Sequence, residues 1–106
     1  MATKPRVLLL EENAGTLAKL KVEFSALTAF WDIDYFESAI DAIKNILEGP
    51  RYEVVVIDIA MESQDPVKIL SAIAERFPHT IRFALTDRAD DQRMNRTASL
   101  AHQFIY

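Results

Sequence analysis

The sequence predicts an α/β fold, with a parallel β-sheet covered by helices on both faces. Residues Val7–Leu10 and Val54–Ile57 are two short runs of aliphatic residues without a polar interruption. Such runs are typical of strands that are buried on both faces. Segments with helical spacing, roughly ten to fifteen residues long, separate the predicted strands, and this alternation favours right-handed crossovers in a parallel sheet.

Composition restricts the class of protein. The 106 residues suit a single domain spanning residues 1–106. The net charge of -4 argues against direct binding of nucleic acid, which needs clustered lysine and arginine. The absence of cysteine excludes disulfides and cysteine-ligated zinc. The apolar runs are too short for a membrane span, and the N-terminus does not have the pattern of a signal peptide, so we expect a cytoplasmic protein without membrane contact.

The first half of the chain contains two further predicted elements before the central strand. A helix follows the first strand because apolar residues recur at intervals of three and four. These residues are Leu17, Leu20, Phe24 and Leu27. Over residues 31–35, apolar residues alternate with aspartates, which is the period of a strand with one wetter face. We therefore expect this strand near an edge of the sheet.

The second helix has clear start and stop signals. Ser38 is a suitable N-cap, with Asp41 at the position that can reach back to it. Gly49 and Pro50 end the helix. Its expected inner stripe is formed by Ile40, Ile43 and Leu47.

The second half continues the alternation. Asp65 followed by Pro66 predicts a helix start, and the expected inner residues of this helix are Leu70, Ile73 and Phe77. A fourth strand is predicted at Ile81–Leu85. A polar helix is expected within residues 87–101, with a thin stripe of Met94, Ala98 and Ala101. Residues 103–106 resemble a fifth strand.

Polar side chains follow three of the predicted strands. Glu11 and Glu12 follow the first, Asp58 ends the third, and Thr86 follows the fourth. Because parallel strands end at the same edge of a sheet, where ligands of such sheets bind, we expect these groups to lie close together. Three carboxylates repel one another unless a cation intervenes, and oxygen ligands suit Mg²⁺. A carboxylate beside Mg²⁺ and a hydroxyl group is equipped to attack a phosphoryl group.

These residues give the chain a resemblance to the response-regulator receiver domains of two-component signalling. The resemblance covers essentially the whole chain and is carried by the acidic pair after the first strand, the segment from residue 54 to Met61, and the pair Leu85-Thr86. Residues 101–106 are similar to receivers that precede HDOD-type output domains. The resemblance implies a flavodoxin-like (CheY-like) doubly wound sheet with strand order 2-1-3-4-5, of which the last helix is missing here.

The resemblance also implies roles for individual residues. Asp58 would be the phosphoacceptor, and Glu11, Glu12 and Asp58 would hold Mg²⁺. Thr86 would bind the phosphoryl group, and Phe104 would be the switch aromatic. The implied partners are a histidine kinase or phosphotransfer protein, and an output domain or partner protein. A receiver domain of this kind is a signalling module and not an enzyme in its own right.

Several positions differ from the usual receiver pattern. Glu12 stands where an aspartate is usual, and Asp87 stands where a small residue is usual. Glu62 and Pro66 occupy places where the family commonly has proline and glycine. The lysine of the family would come just after Tyr106. Since Mg²⁺ requires near-ideal geometry, the longer Glu12 predicts weak binding of the metal.

Two alternatives to phosphorylation remain open from the sequence. The first is a pseudo-receiver, which uses the same fold as a protein-interaction module. The second is a flavodoxin-like cofactor enzyme, which is disfavoured because Glu11 and Glu12 would repel a phosphate after the first strand. Because only the first helix covers one side of the predicted sheet, we also expect either a homodimer or a chain that continues beyond residue 106.

Overall fold

The computed structural model describes residues 4–86 and 91–105, and for residues 91–93 and 103–105 it describes the backbone. Within these residues, five strands alternate with four α-helices. The elements are β1 (Arg6–Leu10), α1 (Ala14–Phe24), β2 (Asp32–Phe36), α2 (Ala39–Glu48), β3 (Val54–Asp58), α3 (Pro66–Arg76), β4 (Ile81–Leu85), α4 (Asp91–Thr97) and β5 (Gln103–Ile105). A short 3-10 helix, Ser25–Ala29, extends α1.

All strands are parallel, and their order is β2-β1-β3-β4-β5, which confirms the predicted fold class and strand order. β2 lies at an edge, as its alternating pattern predicted, and it begins at Asp32, one residue after Trp31. β3 lies at the centre of the sheet. Its residue Ile57 is opposite Leu10 of β1, and its residue Asp58 is opposite Leu85 of β4. This register places the ends of β1, β3 and β4 side by side.

The sheet is buried on both faces, as the two aliphatic runs predicted. Leu8 and Leu10 of β1 point to the face covered by α2, α3 and α4. Val7 and Leu9 point to the opposite face, where they pack with Leu17 of α1. The first face contains the larger core cluster among the described residues.

The inner face of α2 differs from the prediction. Ile40 is 67% exposed and Leu47 is 40% exposed, whereas Ala39, Ala42 and Ile46 are buried. The two alanines face the sheet, where their small size lets the backbone of the helix lie close to the strands. Ile40 and Leu47 are thereby turned away from the core, so the prediction was wrong at these two positions, whereas Ile43 packs against the core as predicted.

The helix boundaries follow the predicted signals. Ser38 caps α2 by accepting the amide hydrogen of Asp41, with oxygen and nitrogen 3.2 Å apart. Asp65 caps α3, because its Oδ1 atom accepts the amide hydrogen of Val67 with oxygen and nitrogen 2.9 Å apart. Pro66 is the first helical residue. At Gly49 a Cβ atom would lie 2.7 Å from the carbonyl oxygen of Asn45, which explains why glycine ends α2.

The last helix is shorter than the predicted segment of residues 87–101. It spans Asp91–Thr97, and residues 87–90 lie outside the described residues. Met94 and Ala101 pack at the edge of the core, but Ala98 is exposed and the fully buried residue is Thr97. The Thr97 hydroxyl donates a hydrogen bond to the carbonyl of Met94, so its polar atom is satisfied although buried.

In the segments 4–86 and 91–105, each helix is too short or too polar to cross a bilayer.

Candidate functional site

The four side chains that were predicted to converge line a single cleft at the carboxyl edge of the sheet. Asp58 ends β3, Glu11 follows β1 and Thr86 follows β4. These three residues are only 8%, 5% and 7% exposed, respectively. Glu12 lines the same cleft, which has a volume of about 700 Å³. The structure therefore brings Glu11, Glu12, Asp58 and Thr86 together as the sequence predicted.

One wall of the cleft is formed by α1, which sequence reasoning assigned only to the core. The residues of α1 that line the cleft are Thr16, Lys19, Leu20 and Glu23. Their spacing of three, one and three residues places them on one side of a helix. That spacing was visible in the sequence, but the side of the helix that turns toward the cleft depends on how Leu17 packs against the sheet.

Glu11 has a strongly perturbed acidity. Burial raises its pKa from 4.5 to about 7, and the contacts with Asp58 and the charge of Glu12 act in the same direction. The amide hydrogen of Asn13, which donates to Glu11 Oε1 at 3.0 Å, opposes this rise. Near neutral pH, Glu11 is therefore partly protonated and can donate a hydrogen bond to the Asp58 side chain.

Asp58 is held in place by the segment that follows it. Its Oδ1 atom accepts a hydrogen bond from the backbone nitrogen of Ala60 at 2.9 Å. Ile59 and Met61 on either side of Ala60 are buried in the core. The carboxylate is consequently fixed at the bottom of the cleft by a backbone that is itself anchored.

Glu12 forms its hydrogen bonds with the loop that follows β3. Its Oε1 atom accepts a hydrogen bond from the Ser63 hydroxyl, and its Oε2 atom lies 3.4 Å from the backbone nitrogen of Glu62. We call this pair of interactions the Glu12–loop contact. It connects the end of β1 to the β3–α3 loop, residues 59–65.

The three carboxylates of the cleft differ in how available they are to Mg²⁺. Glu11 and Asp58 supply oxygen donors from a buried pair, which is the ligand chemistry that Mg²⁺ prefers. Glu12 instead bonds the loop. In the described part of the chain, no group of three or more His, Cys, Asp or Glu side chains is arranged to hold a metal ion. Glu11 and Asp58 thus have the chemistry of a Mg²⁺ site, whereas the oxygens of Glu12, the predicted third ligand, are engaged by the loop.

Two residues of the sequence prediction cannot be placed in the site. Phe104 lies in β5 with its backbone opposite Ala84, but its side chain lies outside the described residues. Asp87 lies outside them entirely.

A second cavity, of about 320 Å³, lies beside the first, between the β3–α3 loop and α4. Arg96 of α4 spans its edge and forms an ion pair with Asp65 at 3.1 Å. The ion pair connects α4 to the N-cap of α3.

Comparison with known proteins places this architecture. No family model matches the sequence, and no curated protein matches it. Among solved structures, the signal receiver domain of an HD-domain-containing protein from Pseudomonas fluorescens Pf-5 superposes with a TM-score of 0.83, at 18% identity over 97% of this chain and 82% of that chain. The chain has the fold of response-regulator receiver domains.

Further receiver structures agree with this assignment. A response regulator receiver protein from Pseudomonas putida gives a TM-score of 0.81, at 16% identity over 99% of this chain and 87% of that one. The chemotaxis protein CheY4 of Vibrio cholerae gives 0.80, at 12% identity over 97% of this chain and 86% of that one. The resemblance seen in the sequence is thus confirmed at the level of the fold.

Proposed function

We propose that this chain is a receiver domain that accepts a phosphoryl group on Asp58 from a histidine kinase or a phosphotransfer protein. The observation that carries the proposal is the position of Asp58. It ends the central strand of a receiver fold, it is fixed by the Ala60 amide, and it opens into a cleft shared with Glu11 and Thr86.

In this proposal, an oxygen of Asp58 forms a bond to phosphorus as the bond from phosphorus to the donor breaks. The leaving group of the donor departs with the electron pair. Thr86 lies at the end of the neighbouring strand, where its hydroxyl can donate to a phosphoryl oxygen. Glu11 and Asp58 would hold Mg²⁺, joined by Glu12 if it left the β3–α3 loop, and the ion would supply positive charge to balance the phosphoryl oxygens. A proton on Glu11 competes with that role.

Phosphodonor labelling tests the proposal. The protein is incubated with acetyl phosphate and Mg²⁺, and intact mass is compared between the wild type, Asp58→Asn and Asp41→Asn, an exposed aspartate on α2. We expect a phosphoryl adduct on the wild type and on Asp41→Asn, and none on Asp58→Asn. Equal labelling of all three proteins would show that Asp58 is not the acceptor.

A second candidate function is a pseudo-receiver that binds a partner protein without phosphorylation. The observation that favours it is the Glu12–loop contact, which engages both carboxylate oxygens of one of the three acids. Unlabelled wild-type protein, with Mg²⁺ present and the fold verified by circular dichroism, would support this candidate.

The proposed setting follows from the receiver fold. We infer a cytoplasmic signalling module that relays its state to an output domain or partner protein. One of the structural neighbours comes from an HD-domain-containing protein, which is in keeping with an HDOD-type output domain for this chain. The net charge of -4 favours a protein partner over direct contact with nucleic acid.

A further inference from the structure

The Glu12–loop contact joins two parts of the chain that are about fifty residues apart, at one side of the cleft that Glu12 and Glu62 line. Ser63 Oγ donates to Glu12 Oε1, and the Glu62 amide faces Glu12 Oε2 at 3.4 Å. Both carboxylate oxygens of Glu12 therefore have donors on the β3–α3 loop.

The loop has two differently held parts. From Asp58 to Met61 it is anchored, because Ile59 and Met61 are buried and the Ala60 amide bonds Asp58. Residues 62–64 are exposed and lie between buried Met61 and buried Pro66. Glu12 holds this exposed part through Glu62 and Ser63.

Chain length explains why a glutamate can make this contact. Glu12 is partly exposed, directly after buried Glu11, and its side chain is one methylene longer than that of aspartate. The extra methylene lengthens the reach of the carboxylate by more than an ångström, on the order of one C–C bond. An aspartate at this position would have a shorter reach toward Ser63.

We propose that Glu12 has two alternative sets of partners and so couples the cation site to the β3–α3 loop. Without a divalent cation, Glu12 holds the exposed part of the loop through Glu62 and Ser63. When a cation is held by Glu11 and Asp58, Glu12 turns toward it and releases the loop. The inference deepens the proposed function, since it rests on the same carboxylates, and it gives Ser63 the role of a positioning residue that opposes cation binding.

Removal of the Ser63 hydroxyl is the direct test. Mg²⁺ affinity is measured by titration calorimetry on the wild type, Ser63→Ala, Ser63→Thr and Ser71→Ala, a matched change at an exposed serine of α3. We expect Ser63→Ala to bind Mg²⁺ about three- to tenfold more tightly, the fold-change of one lost hydrogen bond. Ser63→Thr retains a hydroxyl and should keep wild-type affinity, as should Ser71→Ala.

Hydrogen exchange of the loop provides a readout that does not depend on phosphorylation. In the metal-free wild type, we expect the amides of residues 62–64 to exchange more slowly than in Ser63→Ala. Saturating Mg²⁺ should accelerate their exchange in the wild type and leave Ser63→Ala unchanged. Equal exchange in both metal-free proteins, or equal Mg²⁺ affinity, would overturn the inference, and so would the lack of Mg²⁺ binding by every variant.

The same samples separate this inference from the proposed function. If Ser63→Ala changes Mg²⁺ affinity and loop exchange as expected, but acetyl phosphate labels no variant, the coupling stands and the proposed function fails. If Asp58 is labelled and Ser63→Ala behaves as the wild type does, the proposed function stands and the coupling fails.

Discussion

Replacement of Glu11 by glutamine should stabilise the folded protein at neutral and alkaline pH. The glutamine side chain has nearly the shape of protonated glutamic acid. It can accept the Asn13 amide hydrogen and donate to Asp58, but it cannot acquire a charge. The variant therefore keeps the hydrogen bonds of Glu11 and removes a buried carboxylate that repels Asp58 and Glu12.

The magnitude follows from the raised pKa. The carboxyl group of Glu11 has a pKa of about 7 in the folded protein and 4.5 as its ordinary value. A raised folded-state pKa gives a contribution to stability that is fully present below pH 4.5 and is lost as the pH rises through 7. At about 1.4 kcal/mol per pKa unit, the loss has an upper limit of about 3 kcal/mol, and coupling to Asp58 reduces it to about 1 to 3 kcal/mol.

Urea denaturation followed by circular dichroism at pH 5, 6, 7 and 8 measures the effect, with a chelator present to remove divalent cations. We expect the free energy of unfolding of Glu11→Gln to exceed that of the wild type by less than about 1 kcal/mol at pH 5, where the Glu11 carboxyl of the unfolded chain is already largely ionised, and by about 1 to 3 kcal/mol at pH 8. Glu48→Gln, an exposed change at the end of α2, serves as the control. If the difference in free energy of unfolding between Glu11→Gln and the wild type did not change with pH, the assignment of the raised pKa to Glu11 would be refuted.

Two other predictions concern the packing of the chain. Ala42 is fully buried on α2, so Ala42→Leu should lower the free energy of unfolding by about 1 to 3 kcal/mol, whereas Ile40→Gln should change it by less than about 0.5 kcal/mol. A larger loss from Ile40→Gln than from Ala42→Leu in urea denaturation would mean that α2 is oriented as its sequence pattern first indicated. On the opposite face of the sheet, Phe83 and Leu85 are only partly buried, so we expect the chain to self-associate through this face. Light scattering over a concentration series should show a mass above 12.1 kDa, and a strict monomer at high concentration would contradict this expectation.

The strands were accessible from the sequence because they depend on a pattern that burial imposes, whereas their order was implied by the resemblance to receiver domains. A run such as Val54–Ile57 has no polar residue to place in water, so it has to lie inside a sheet covered on both faces. The convergence of Glu11, Asp58 and Thr86 followed from the same argument, since parallel strands end at a common edge.

The orientation of α2 could not be read in the same way. Its aliphatic stripe of Ile40, Ile43 and Leu47 and its smaller stripe of Ala39, Ala42 and Ile46 have the same period. The choice between them depends on how close the helix lies to the sheet, which is a property of tertiary packing. The buried Thr97 was missed for a related reason, because the bond of its hydroxyl to the Met94 carbonyl is not apparent from residue type.

The contact of Glu12 with the β3–α3 loop was also beyond the sequence argument. Sequence spacing indicated that Glu12 lies beside Glu11, and charge indicated that the acids would share a cation. The contact with Ser63 depends on the path of a loop that carries no periodic pattern.

The unequal faces of the sheet have a consequence for how the chain tolerates substitution. Along β1, Leu8 and Leu10 belong to the large core cluster, while Val7 and Leu9 belong to the smaller one beneath α1. When a side chain is truncated, the void in the cluster covered by three helices deprives more neighbouring side chains of contacts than the void in the cluster covered by one helix. In a saturation library, tolerance to truncation should therefore alternate from one residue to the next along this strand, with a period of two. The same alternation should recur in β3, where Val55 and Ile57 face the large cluster and Val56 faces the small one.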